Sequence, residues 1–188
     1  MILYVNSCVR AESRTNRLAQ ALIDKLLQEG GMKQVQEVNL EKENLERLNE
    51  DFINRRNDLL DNGRYDDDMF RLARQFAEAD VIVIGAPYWE NAFPSSVKTY
   101  LERIFVMNVV TRYREDGSPE GLCRARAIYY VVTSGGPYTP DFSCDYIRNL
   151  AETYWGIDET VLIKAENMDV WGNDPEAILA EAINNIEI

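Results

Sequence analysis

Ile2-Leu3-Tyr4-Val5-Asn6-Ser7-Cys8-Val9-Arg10-Ala11-Glu12-Ser13-Arg14-Thr15-Asn16 is the stretch that decides the fold. Ile2 to Val5 is an apolar run of strand length. The chain then turns polar, and beyond it Leu18, Ala19, Leu22, Ile23, Leu26 and Leu27 recur at helical spacing. The pattern predicts a buried strand, a loop rich in hydroxyls and arginines, and an amphipathic helix near 15–29. At such a junction the free N–H groups and the positive end of the helix dipole face the loop. Ser7, Ser13 and Thr15 add hydrogen-bonding groups around a phosphate. Hydroxyls at a helix start also serve as caps, so this loop alone does not separate the two uses.

Working outward, apolar segments of strand length fall at 2–5, 34–40, 81–86, 126–133 and 160–165. Helical patterns fall between and after them, near 15–29, 66–79, 94–106, 142–155 and 174–186. Strict alternation of strand and helix indicates an α/β protein with a parallel sheet. Val81-Ile82-Val83-Ile84 and Ile128-Tyr129-Tyr130-Val131-Val132 are continuous apolar runs, as expected of strands covered on both faces. The expectation is a single domain over 1–188, doubly wound around five parallel strands. Two insertions interrupt the alternation. Residues 41–65 are charged and rich in asparagine, which predicts a surface loop with short helical pieces. Residues 107–125 contain Asp116-Gly117, a turn signal that predicts a hairpin-like excursion.

Composition removes several classes of function. The 188 residues are 46% hydrophobic, enough for a core without disulfide or metal staples. There is no histidine, which rules out Ser-His-Asp and Cys-His nucleophilic sites and argues against a transition-metal centre. Cys8, Cys123 and Cys144 have no metal-ligand spacing and read as plain thiols. A net charge of −12 opposes general nucleic-acid binding, so any phosphate is held locally. No apolar run approaches the roughly 20 residues that span a bilayer. With the first strand starting at residue 2, the expected location is cytoplasmic.

Open α/β sheets bind ligands beyond the carboxyl ends of their strands. Three loops there are chemically marked: the opening loop from Ser7 to Thr15, the run Gly85-Ala86-Pro87-Tyr88-Trp89-Glu90-Asn91-Ala92-Phe93-Pro94, and Thr133-Ser134-Gly135-Gly136-Pro137-Tyr138. A phosphate cradle, a proline-bracketed aromatic wall and a Gly-Gly turn suit a mononucleotide carrying a large flat ring. Flavin mononucleotide meets that description. A dinucleotide or triphosphate site fits less well, because neither Gly-x-Gly-x-x-Gly nor Gly-x-x-x-x-Gly-Lys-Ser/Thr occurs. A phosphoacceptor receiver domain needs carboxylates where this chain has Asn6 and Pro87.

At these loops the sequence resembles the flavodoxin-like NAD(P)H-dependent FMN oxidoreductases, specifically the NADH:quinone oxidoreductase and azoreductase group. The resembling pieces are Ser7-x-x-Arg10-x-x-Ser13-x-Thr15, Pro87-Tyr88-Trp89 to Pro94, Tyr113 to Leu122, and Thr133-Ser134-Gly135-Gly136. They stand in register along most of the chain. The resemblance implies a flavodoxin-like sheet of strand order 2-1-3-4-5 and a ping-pong hydride transfer. Hydride passes from NADH or NADPH to FMN, then to a quinone, azo compound or similar aromatic acceptor. It also implies a homodimer whose second subunit completes the slot. Carried over by position, Ser7, Ser13 and Thr15 hold the phosphate, with Arg10 or Arg14 balancing its charge. Pro87, Tyr88, Trp89, Glu90 and Asn91 line the isoalloxazine, and Ser134, Gly135 and Gly136 close its polar edge. Phe93, Tyr113 and Tyr138 are candidate acceptor contacts, with packing or dimer contact as the competing use of the two tyrosines. Trp89-Glu90-Asn91 stands where the family has a Tyr-Asn-Phe-like run, which favours the backbone there over the Glu90 side chain. The rival reading is a flavodoxin-type electron carrier without an acceptor pocket. Its acidic charge is compatible, but the insertion at 107–125 exceeds what a minimal carrier needs.

Overall fold

The computed structural model describes residues 1–188. Its strands are β1 (Ile2–Asn6), β2 (Val35–Asn39), β3 (Val81–Gly85), β4 (Thr111–Tyr113), β5 (Pro119–Gly121), β6 (Ile128–Thr133) and β7 (Thr160–Ala165). Its helices are α1 (Arg14–Gln28), α2 (Leu40–Glu43), α3 (Glu50–Asp61), α4 (Arg71–Glu78), α5 (Ser95–Ile104), α6 (Cys144–Leu150) and α7 (Pro175–Asn184). Five parallel strands pair in the order β2-β1-β3-β6-β7, with β4 and β5 forming a separate antiparallel hairpin. Counting only the strands of the main sheet, this is the expected order 2-1-3-4-5.

Alternation along each strand distributes the core to both faces. Ile2 and Tyr4 of β1, with Val81 and Val83 of β3, pack against Leu18, Leu22 and Leu26 of α1 and Leu179 of α7. Leu3, Val5, Ile82 and Ile84 point the other way, toward Phe76 of α4, Tyr100 of α5 and Trp155. Burial on both faces explains why β1 and β3 read as unbroken apolar runs. The chain reverses its winding between β1 and β3, so the loops that leave their carboxyl ends run to opposite faces of the sheet and open the crevice that this topology provides for a ligand.

Two segments differ from the sequence expectation. Within 41–65 the chain forms α3, a regular helix of 12 residues, rather than loop with short pieces. Asn49 caps it by accepting the Phe52 N–H at 2.8 Å, and Glu50 and Asp51 favour its N-terminus. Of its residues only Leu59 is buried, so the apolar periodicity that marks a helix is nearly absent. The helix expected over 142–155 begins as α6 and then widens into a π turn over Ala151–Trp155, ended by Gly156 at φ 73°. The turn lies against β5. A Cβ on Gly121 would fall 2.0 Å from the Gly156 nitrogen, so the hairpin crosses the turn backbone to backbone.

Candidate functional site

A cavity of about 410 Å³, within the range of ligand clefts, sits at the carboxyl ends of the sheet strands. Four loops build it. From the first come Val9, Arg10, Glu12, Ser13, Arg14 and Thr15; from the loop after β3, Pro87, Tyr88 and Trp89. Thr133, Ser134 and Gly135 follow from the end of β6, and Met168 and Asp169 from the loop after β7.

The opening loop is anchored beneath and free above. Both the N–H and the hydroxyl of Ser7 donate to the Gly85 carbonyl, at 3.0 and 2.9 Å, which ties the loop to the end of β3. Asn6 accepts the Cys8 N–H at 2.9 Å, and burial pushes the Cys8 thiol above its ordinary pKa. From residue 9 to residue 15, by contrast, the main-chain N–H groups meet no acceptor in the chain. Ser13 caps α1, its hydroxyl accepting the Asn16 N–H at 3.2 Å. The buried Thr15 hydroxyl pairs with that of Thr133 at 2.6 Å, joining the helix start to β6. Free amides converging on a helix N-terminus are the ingredients of an anion site.

The second wall continues β3 alongside β6, with Ala86 and Tyr88 donating to the Val131 and Thr133 carbonyls. It then reverses sharply. Trp89 and Ala92 exchange both backbone hydrogen bonds, at 2.8 and 2.9 Å, around Glu90 at φ 45° and Asn91 at φ 66°. Two consecutive left-handed residues make a type I′ turn, and Glu90 is a costly occupant of such a position. The Tyr88 ring packs on Tyr138 with centroids 4.8 Å apart, and its hydroxyl donates to the Pro140 carbonyl at 2.9 Å. The loops after β3 and β6 are thereby held together. Tyr138 is fixed twice more: its hydroxyl donates to Asp141 at 2.7 Å and its N–H to Glu166 at 2.8 Å. Burial, reinforced by Asp141, pushes the Tyr138 phenol far up, while Lys164 and the Tyr138 N–H hold the Glu166 carboxyl low.

Of the residues singled out from sequence, the cavity brings together Arg10, Ser13, Arg14, Thr15, Pro87, Tyr88, Trp89, Ser134 and Gly135. Ser7 lies outside it, fully buried with its oxygen committed to Gly85. Glu90 and Asn91 face solvent on the turn beyond Trp89, and the Gly136 carbonyl accepts the Ser134 hydroxyl at 2.7 Å. The three candidate acceptor residues do not converge. Tyr138 is buried behind Tyr88, whereas Phe93 packs on Tyr146 with centroids 5.7 Å apart. Tyr146 and the exposed Tyr113 line a separate groove with Lys98, Leu101, Glu102, Phe105, Leu150 and Tyr154.

Sequence reasoning marked the loops of Val9, Glu12 and Thr133 without giving these residues a role, and it missed Met168 and Asp169 as cavity residues. Asp169 matters most. Its carboxylate meets the Arg14 guanidinium at 2.9 Å, and its N–H donates to the Gly135 carbonyl at 2.8 Å. Arg10 has no such ion pair, so of the two arginines it is the one whose charge is uncommitted. The only sequence signal for Asp169 was its place just beyond the last strand of the sheet.

Comparison with known proteins agrees with this architecture. The profile of the flavodoxin-like fold family matches residues 1–187. The FMN-dependent NADH:quinone oxidoreductase 2 of Clostridium acetobutylicum is 30% identical, over 97% of this chain and 94% of that protein. The FMN-dependent NADH:quinone oxidoreductase of Coprothermobacter proteolyticus is 29% identical, over 99% and 96%. Among solved structures, an azoreductase from Bacillus anthracis superposes with a TM-score of 0.82 at 21% identity, covering 97% of this chain and 94% of the other. A FMN-dependent NADH-azoreductase from the same species, in complex with FMN, gives 0.78 at 19% identity, with coverage of 97% and 93%. No helix is long and apolar enough to cross a membrane. With its sheet order, its crevice and its match over nearly the whole length, the chain belongs to the flavodoxin-like fold family.

Proposed function

We propose that the protein is an FMN-dependent NAD(P)H oxidoreductase that reduces quinones, azo compounds or similar electron-poor aromatics. One observation carries this reading. The unpaired amides of residues 9–15, with Arg10 and Arg14, share one cavity with the flat wall of Pro87, Tyr88 and Trp89. The donor set fits a phosphate at one end, and the wall fits a planar ring at the other. The relatives named for FMN-dependent NADH:quinone oxidoreduction, aligned nearly end to end, support the same assignment.

Arg10, Arg14, Ser13 and the adjacent amides hold the phosphate, and Thr15 braces the helix start against β6. Tyr88, locked by Tyr138 and Pro140, keeps the ring wall in place. A flavin held there would supply the redox chemistry, hydride transfer between a nicotinamide and the acceptor. Protons can arrive from water or a tyrosine hydroxyl, so the reading needs no catalytic histidine. The phenol of Tyr138 stays protonated throughout the working range because burial and Asp141 disfavour its anion.

The same reading includes a homodimer in the cytoplasm with no affinity for nucleic acid. The groove of Leu101, Phe105, Tyr113, Tyr146 and Tyr154 supports the dimer as an apolar surface close to the ring wall through Phe93, and sedimentation equilibrium measures it. Purified protein supplied with FMN is expected to consume NADH or NADPH steadily when a benzoquinone is present. Bound flavin that neither nicotinamide reduces would instead favour the electron carrier.

A further inference from the structure

We propose that Asp169 is an internal competitor for the phosphate, a carboxylate on the loop after β7 that occupies Arg14 and so sets the affinity for phosphate-bearing flavin. The inference rests on the flavin reading of the cavity and goes beyond it. In the simplest phosphate site the cations are free and acids are absent. Here the cavity lining carries Arg10 and Arg14 but also Glu12 and Asp169, so the fixed side-chain charges cancel.

Asp169 is held where it stands. Its N–H bonds the Gly135 carbonyl at 2.8 Å, and the neighbouring Met168 and Asn167 N–H groups bond the Ser134 and Gly136 carbonyls at 3.2 and 3.0 Å. Successive residues of the loop after β7 are thus laced to successive residues of the loop after β6. Gly135 leaves the space, for a Cβ there would sit 2.6 Å from Asp169 Oδ2. The carboxylate meets Arg14 Nη1 at 2.9 Å, within charge-assisted hydrogen-bond distance.

Arg14 is the first residue of α1, so its guanidinium lies beside the amides that would hold a phosphate. A dianion entering there must share Arg14 with Asp169 or displace it, and it meets the repulsion of the carboxylate as well. Both effects weaken binding of the phosphate without touching the ring. The opposite arrangement, in which a carboxylate merely orients an arginine for its ligand, makes the opposite prediction for removal of the acid.

Asp169→Asn keeps the size and the backbone bond while removing the charge. Titration by flavin-fluorescence quenching is expected to show FMN bound roughly tenfold more tightly than by the parent protein at low ionic strength. The gain shrinks at high salt, because both partners are partly exposed. Riboflavin, which lacks the phosphate, binds both proteins equally. Asp169→Ala, which withdraws the acceptor altogether, gives the same direction. In an Arg14→Met background the gain from Asp169→Asn is smaller. FMN affinity that is unchanged or weaker in Asp169→Asn overturns the proposal, as does an undiminished gain without Arg14. Failure of the parent protein to bind either FMN or riboflavin would overturn the flavin reading itself, and this inference with it.

Discussion

The loop after β1 and the loop after β7 flank one cavity, yet they are built on opposite plans. The main chain of the first donates only at its base, where Ser7 grips Gly85 and Asn6 accepts the Cys8 N–H, and its amides from residue 9 to residue 15 are left unpaired. The second is bonded along Asn167 to Val170 and again at Asn173: Asn167, Met168 and Asp169 to the loop after β6, Val170 to Asn167, and Asn173 back to Asn167 through its side chain at 2.7 Å. Unpaired donors beside a helix N-terminus are disposed to receive a ligand, whereas a self-satisfied loop shapes and limits what arrives.

Substitutions on the two sides should therefore fail differently. Arg10→Met removes the uncommitted charge of the opening loop and is expected to weaken FMN binding by roughly 10- to 100-fold, with little effect on riboflavin. Equal losses for both ligands would place Arg10 at the ring instead. Gly85→Ala attacks the floor, since the new Cβ would lie 2.9 Å from the hydroxyl of the buried Tyr4, a rigid ring that itself donates to Asn16. The expected cost is about 2 kcal/mol in denaturant unfolding. Ser13→Ala loses the α1 cap at about 1 kcal/mol, and it should weaken FMN binding as well, because cap and ligand site coincide. Asn173→Ala loosens the closing loop at a similar cost in stability but should leave FMN binding intact or tightened, since Asp169 is then less firmly placed. If Ser13→Ala and Asn173→Ala shift FMN affinity in the same direction, the contrast between the loops fails.

The smallest effect concerns pH. Glu166 accepts the Tyr138 N–H, and Lys164 and that bond hold its carboxyl below the ordinary value of 4.5. Its contribution is accordingly full above that value and fades as the pH falls below it toward the folded pKa. Melting temperatures of the parent protein and Glu166→Gln should differ by a constant amount near neutrality and converge in acid. A difference that grows in acid would contradict this sign.

Much of this architecture was legible in the chain. β1 and β3 announce themselves because burial on both faces leaves no polar position, and α1 because one stripe of leucines faces the sheet. The opening loop was legible because strand, hydroxyls and helix follow one another within a few residues. α3 was not, since only Leu59 of it is buried and its stability rests on the Asn49 cap and acidic first turn. Ser7 is a different case. A serine at a strand end satisfies the neighbouring strand as readily as a ligand, and only the 2.9 Å bond to Gly85 separates the two. Asp169 was invisible because its effect depends on Arg14, 155 positions away in sequence. Tyr113 and Phe93 needed the path of the hairpin and of α6, which no local pattern encodes.

In the proposed function the loop after β1 receives the phosphate of a flavin whose ring lies against Pro87, Tyr88 and Trp89. Parallel titrations of the parent protein with FMN and with riboflavin test that claim most directly. FMN is expected to bind at least about 100-fold more tightly, the difference falling with added salt. Equal affinity for the two, at any ionic strength, would contradict it.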